Sequence, residues 1–475
     1  VASVPRHPFL RQLPRLLTGF VGLCLAGTCI WSTLTFGEVS FEQFIYHLRF
    51  GAGGLLQTDA GTVQRYLTLG IVLPALVTGL LWWISRSGRW FVQRHLHWAT
   101  LAGGLGFFLY TFDFGDYLAS LVGPDLFAQY FVAPNDVKLV PTDRPRSLVI
   151  IYVESMEATY ADKSLFGRDL IEPLTKLQDR YLSFPNYPQS GGAHWTIAGI
   201  VATQCGVPLK VSILPSPEDD RLHLHRYLPH ATCLGDLLRE RGYENIFMNG
   251  PYLEFADLGT FLKDHGYTRR YGAREWIAAG EDRRKMKTWG LRDDHLFVHA
   301  REELARLMAA DKPFNLTILT VDTHGPDGIL SDECRKRGAR DFKGILGCTA
   351  TQVASFVNEI AKNGWLDRVA VVVQGDHIAM ENPIHDTLET TKQRTIYNLI
   401  ATSPVEKAAT ETLTHFDLYP TLLELAGFRP EGGRLGLGYC QLQRCEAPKP
   451  PPERIQVFKG GILNRSPVYE SLWTG

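Results

Sequence analysis

A hydroxyl residue between a glycine turn and an apolar run is the first feature with chemical potential. It lies in Ser190-Gly191-Gly192-Ala193-His194-Trp195-Thr196-Ile197-Ala198-Gly199-Ile200. A hydroxyl at a helix start meets unpaired backbone N–H groups and the positive end of the helix dipole, where a phosphate or sulfate is well held. The plainer reading makes Thr196 an ordinary N-cap. Two distant stretches favour chemistry. Glu154 follows the apolar run Leu148-Val149-Ile150-Ile151-Tyr152-Val153, and the pair Asp376-His377 closes the run that begins at Val369. Two acids, an imidazole and a hydroxyl suit a divalent cation with mostly oxygen ligands. A cation touching the Thr196 oxygen would lower its pKa and make it a nucleophile. Taken alone, Asp376-His377 reads as a capping carboxylate beside a solvated histidine.

These residues need elements that bring them to one place. The runs before Glu154 and Asp376 are rich in β-branched residues and carry no charge. Such runs read as parallel strands buried on both faces, and ligands bind at the carboxyl ends of strands in open α/β sheets. Strands are expected at 147–153, 243–248, 314–321, 368–373 and 394–402. Helices are expected at 170–181, 196–204, 232–241, 294–309, 349–362 and 416–426. This alternation predicts an α/β fold, a mostly parallel sheet with helices on both faces.

At this point the sequence resembles the alkaline phosphatase and sulfatase superfamily, in its branch of membrane-anchored phosphoglycerol transferases and lipoteichoic acid synthases. The resemblance is carried by Val153-Glu154-Ser155, the Thr196 segment, Thr323-His324-Gly325-Pro326, Gly375-Asp376-His377 and His415-Phe416-Asp417-Leu418-Tyr419-Pro420-Thr421-Leu422-Leu423, over residues 145–430. The stretch from Trp195 to Pro208 looks most like the phosphoglycerol transferases that decorate periplasmic glucans. The resemblance implies that Glu154, Thr196, Asp376 and His377 hold a divalent metal, usually Mn2+, with Mg2+ or Zn2+ as alternatives. It also implies Thr196 as nucleophile and His324 as a phosphate-binding residue. The Trp and Arg that bind glycerophosphate in lipoteichoic acid synthases have no clear match; residues 249–266 offer Asn249, Glu254 and Asp257 instead. Asn249 is therefore the expected head-group contact. The implied donor is phosphatidylglycerol and the implied acceptor a periplasmic glycan.

The chain has 475 residues and a formal net charge of −1, so no global field points to nucleic acid. Apolar residues crowd the first part. Runs at 16–36, 67–84 and 96–122 each approach the roughly 20 residues that cross a bilayer. Arg6, Arg11 and Arg15 precede the first run, and Arg86, Arg89 and Arg94 lie between the second and third. The positive-inside rule puts both stretches in the cytoplasm and everything after residue 122 outside. Asp113 and Asp116 interrupt the third run and read as interfacial acids. The expected division is a membrane domain at 1–122, a proline-bearing linker at 123–146 and a catalytic domain at 147–475. The expected location is a bacterial inner membrane, crossed several times, with the catalytic domain in the periplasm.

Six of the eight cysteines lie in the outer part. An oxidising compartment favours disulfides. Cys334 with Cys348, Cys440 with Cys445 and Cys205 with Cys233 form one of fifteen possible arrangements. Zinc is the other reading, but no pair has C-x-x-C spacing. The segment after Ala447-Pro448-Lys449-Pro450-Pro451-Pro452 reads as an edge strand or a loose tail. His385 and Arg394 are weaker candidates for the site, and Trp195 as a pocket wall competes with core packing. Asp293 and Asp294 read as caps of the following helix. His223, His225 and His230 read as a solvated loop rather than a second metal site. Competing functions are phosphoethanolamine transfer to lipid A or a glycan, and a non-catalytic glycan-binding membrane protein. A hydrolytic sulfatase is disfavoured, because no C/S-x-P-x-R motif is present.

Overall fold

The computed structural model describes residues 8–51, 59–85, 90–142, 145–210, 226–284, 286, 288–310 and 312–474. These form two compact units. The first holds the residues up to Ile45 and those from Asp59 to Ala119; the second holds the connector beginning at Tyr46 and everything from Ser120 onward.

In the first unit, Gln12–Phe36 and Ala60–Ile84 are long and apolar enough to cross a membrane, with mean hydropathies of 1.6 and 2.0. Small residues let backbones meet. A Cβ on Gly104 would fall 1.9 Å from the Gly22 carbonyl oxygen, and one on Gly27 would fall 2.2 Å from that of Leu69. The third apolar run differs from the single helix expected. It forms Trp90–Thr111 and then Phe114–Val122, parted at Asp113, whose φ is 47°. A left-handed residue cannot continue a right-handed helix, and Gln93, Arg94, His95 and His97 dilute the run's start.

The second unit is built on six strands: β1 (Ser147–Val153), β2 (Glu244–Asn249), β3 (Arg269–Tyr271), β4 (Phe314–Leu319), β5 (Val369–Gly375) and β6 (Asn398–Ala401). Their order is β3-β2-β4-β1-β5-β6. All neighbours are parallel except β5 and β6. Two apolar cores sandwich the sheet. Leu148, Ile150 and Tyr152 of β1 face one, and Val149, Ile151 and Val153 face the other. That alternation explains the unbroken apolar run. Register does the rest. Val153 pairs with Gly375, so Glu154 and Asp376 leave adjacent strands side by side.

Some elements depart from expectation. β3 is a short edge strand of three partly buried residues, Arg-Arg-Tyr, without the alternation that marks a strand. The helix Phe342–Lys362 starts before position 349, because Asp341 caps it by accepting from Gly344 N, past two glycines that read as breakers. The C-terminal segment is neither strand nor loose tail. It forms helices Arg454–Lys459 and Pro467–Thr474, which bury Phe458, Tyr469 and Trp473 in the core. Its apolar residues are spaced for packing one helical turn at a time, too briefly for a periodic signal. Cys205–Cys233, Cys334–Cys348 and Cys440–Cys445 are disulfide-bonded.

Candidate active site

Glu154, Asp376 and His377 converge at the carboxyl ends of β1 and β5, with one ligand atom of each within 4.8 Å of the others. All three are buried. His377 Nε2 lies 3.4 Å from Asp376 Oδ2 and 3.7 Å from Glu154 Oε1. The His377 Nδ1–H donates to the Ile378 carbonyl at 2.7 Å, which leaves the Nε2 lone pair facing the acids. Asp376 Oδ2 and His377 Nε2 are buried without hydrogen-bond partners. Converging buried lone pairs need a cation or a proton to be stable. Burial, then the Glu154 charge, pushes the Asp376 pKa up to about 7. Burial opposes the His377 charge, but Asp376 and Glu154 outweigh it and raise that pKa. This donor set fits a divalent cation.

Thr196 enters from a third direction. It is the first residue of the helix Thr196–Cys205, and Trp195 occupies the N-cap position with no side-chain cap bond. The capping reading of Thr196 therefore fails. Its Oγ1 donates to Glu154 Oε2 at 3.2 Å instead. The helix comes this close because Gly199 has no side chain; a Cβ there would stand 2.2 Å from the Asp376 carbonyl oxygen.

Several contributors gave no sequence signal of their own. Ser155, left-handed at φ 53°, donates its hydroxyl to Glu154 Oε1 at 2.6 Å and its N–H to Asp376 Oδ1 at 2.8 Å. Thr323 donates to the Glu154 carbonyl at 2.5 Å. Buried His415 bridges Ser190 Oγ (3.2 Å) and the Asp376 carbonyl (3.2 Å). Burial drives its pKa down to about 3, so the ring is neutral and can donate through one nitrogen while accepting through the other. The C-terminal segment reaches the glycine turn before Thr196, since Gly191 N donates to the Phe458 carbonyl at 2.6 Å. Ser155, Thr323 and His415 each lie in a string that was visible beforehand, but only through resemblance.

The remaining candidates fall at varying distances from this cluster. His324 is buried on the loop after β4 and stacks on Trp289, with ring centroids 3.8 Å apart. Asn249 ends β2 at the same sheet edge; its Oδ1 is buried without a partner, and its carbonyl accepts from Trp276 Nε1 at 2.7 Å. Glu254 pairs with Arg274, and Asp257 accepts from Thr260. Arg394 does not reach the cluster. It forms an ion pair with buried Glu157, which accepts from Ala379 N at 2.9 Å and so fixes the loop after Asp376-His377. His385 stays apart, between Glu381 and Glu389. Asp293 is the first residue of its helix, not the cap, which is Arg292. Asp293 accepts from Val321 N (2.7 Å) and Asp322 N (3.2 Å) and shapes the turn that leads to His324. Trp195 is buried against the rings of Tyr46 and His47. His223 and His225 lie outside the described residues.

A second group, Cys233, Asp236 and His265, also has metal-like spacing. It is structural. Cys233 is in a disulfide, and the two His265 nitrogens engage Asp236 and the Tyr227 carbonyl.

Strand-end acids, a helix-start hydroxyl and an α/β sheet define a class. The chain belongs to the sulfatase family, within the alkaline phosphatase superfamily; the family model described as Sulfatase matches residues 146–428. Among curated relatives it is 33% identical over 405 residues to phosphoglycerol transferase I of Shigella flexneri and, equally, to that of Escherichia coli O6:H1, covering 81% of this chain. The chain spans 51% of the length of those relatives. Among solved structures it resembles the integral membrane protein lipooligosaccharide phosphoethanolamine transferase A from Neisseria meningitidis, at 13% identity and a TM-score of 0.51. That likeness covers 89% of this chain and 85% of the other, and it supports the fold.

Proposed function

We propose that this protein transfers phosphoglycerol from phosphatidylglycerol to a periplasmic glycan, through a covalent intermediate on Thr196. The observation that carries this reading is the Thr196 hydroxyl held on Glu154 at the edge of a cluster with unsatisfied ligand atoms. The relatives named phosphoglycerol transferase I support the choice of head group. Glu154, Asp376 and His377, with Thr196, would hold a divalent cation, most simply Mn2+. Such an ion supplies charge screening at the phosphoryl oxygens and a lower pKa for the threonine hydroxyl.

The chain's own groups account for the rest. The Thr196 proton leaves along its bond to Glu154 as Oγ1 attacks phosphorus. The phosphorus–oxygen bond to diacylglycerol breaks, and diacylglycerol departs with the proton that Glu154 took. His324 and Asn249, at the same sheet edge, would contact the phosphate and the glycerol. An acceptor hydroxyl then attacks phosphorus and gives its proton to Glu154, the bond to Oγ1 breaks and Glu154 returns that proton to Thr196. Anchoring by apolar helices keeps the site at the leaflet that holds the donor. The apolar helices and the disulfides support a catalytic domain outside the cytoplasm of a multi-pass inner-membrane protein.

The test is intact-mass analysis after incubation with phosphatidylglycerol and Mn2+. A glycerophosphate adduct that maps to Thr196, and is discharged by a glucan acceptor, is expected. An ethanolamine-phosphate adduct formed only from phosphatidylethanolamine would overturn the head-group assignment. No adduct with either lipid would overturn transfer through Thr196.

A further inference from the structure

The stretch between the two apolar helices does not stay with them. From Tyr46 onward it belongs to the globular unit. Tyr46 is fully buried there. Its hydroxyl donates to the Ala256 carbonyl at 2.7 Å and lies 2.9 Å from the Tyr227 hydroxyl. Its ring packs 5.6 Å from that of Trp195, and the His47 ring packs 6.0 Å from the same indole. Phe50 sits against Tyr227 and Trp473.

One anchor, Trp195, is the residue before Thr196; the other, Ala256, lies within residues 249–266, the stretch expected to meet the head group. Ala256 and Asp257 are consecutive non-glycine residues in the left-handed region, at φ 50° and 58°. The left-handed region is disfavoured for such residues, so that conformation persists only when surrounding contacts over-determine it. The Tyr46 hydroxyl is one of those contacts. The connector's outward side has a different character: Leu48 is 68% exposed, and exposed Arg49 leans over the Phe50 ring. An apolar side chain next to a cation suits the glycerol backbone and phosphate of an anionic phospholipid.

We propose that residues 46–51 form the donor-lipid wall of the transfer site, with Tyr46 the positioning residue that seats this wall against Trp195 and Ala256. The inference rests on the transferase reading above. The first apolar helix ends at Phe36, so the wall is tethered to the element that would sit in the donor's leaflet. A water-soluble phosphodiester needs Thr196 and its cluster but not the wall.

The full chain, loaded with Mn2+, is assayed on vesicles of phosphatidylglycerol and on bis(p-nitrophenyl) phosphate. Tyr46→Ala should lower kcat/KM for the lipid roughly tenfold or more, mainly through KM, with a far smaller change on the soluble diester. Tyr46→Phe keeps the ring contacts and should recover part of the loss. Arg49→Glu, at an exposed position, should also raise the lipid KM. A parallel fall on both substrates would show a general fold defect and overturn the wall. An unchanged lipid KM in Arg49→Glu and Tyr46→Ala would overturn it too. Inactivity of the unmodified protein on both substrates would instead sink the transferase reading itself.

Discussion

Thr196 donates to Glu154 but caps nothing, so its removal should separate chemistry from stability. Thr196→Ala is expected to abolish adduct formation and transfer while costing the fold only about 1 kcal/mol, the worth of one hydrogen bond. Denaturant midpoints and turnover measured together check this; residual transfer in Thr196→Ala would move the nucleophile elsewhere, first to Ser190. Glu154→Ala and Asp376→Ala should lose bound metal and activity in step, because each removes a charged ligand from a small site. Elemental analysis of the purified variants reads the first loss directly. The four residues of this cluster were legible because each follows a strong local pattern, either a buried strand or a glycine turn. Ser155, Thr323 and His415 were legible only through the family resemblance, with no local pattern of their own. Their hydrogen bonds to Glu154 and Asp376 join positions far apart in sequence or depend on one left-handed residue.

The elements around the cluster are held by close approach and by buried ion pairs, Arg394–Glu157 and Arg454–Asp417 among them. Gly199→Ala should push the Thr196 helix off Asp376 and cost about 1–3 kcal/mol along with most activity. Gly347→Ala is the control. Its Cβ would meet only the Leu170 carbonyl at 3.4 Å, and a mid-helix alanine there should be neutral or slightly stabilising. Equal effects of the two substitutions would show that helix approach is not the issue. Arg394→Ala leaves the buried Glu157 carboxylate unpaired and should cost about 3–5 kcal/mol in unfolding experiments. An unchanged midpoint would mean that water replaces the guanidinium. Five of the six central strands were readable, two from β-branched runs and three from their place in the strand–helix alternation. β3 was missed because its charged edge position carries no periodicity, and the C-terminal helices because each is too short to show one.

For the whole molecule, the charge asymmetry of the loops predicts that everything after residue 122 is outside the cytoplasm. Alkaline phosphatase fused after Val122 should be active, and a cytoplasm-only reporter at the same point should be silent. The opposite pattern would refute that topology. Composition alone revealed the apolar first part. It did not reveal that the third run breaks at Asp113, a local backbone choice that hydropathy cannot sense.

The Cys205–Cys233 bridge joins the end of the helix Thr196–Cys205 to the N-cap of Leu234–Glu240. The chain between these cysteines is thus a covalently closed ring, and residues 211–225 lie inside it. A protease site inserted in that stretch would open the ring without releasing either fragment. The nicked protein should migrate as one species without reductant and as two with it. Because the bridge carries the connection that the peptide bond gave up, the nicked form should still acquire its glycerophosphate adduct until a reductant lets the halves part.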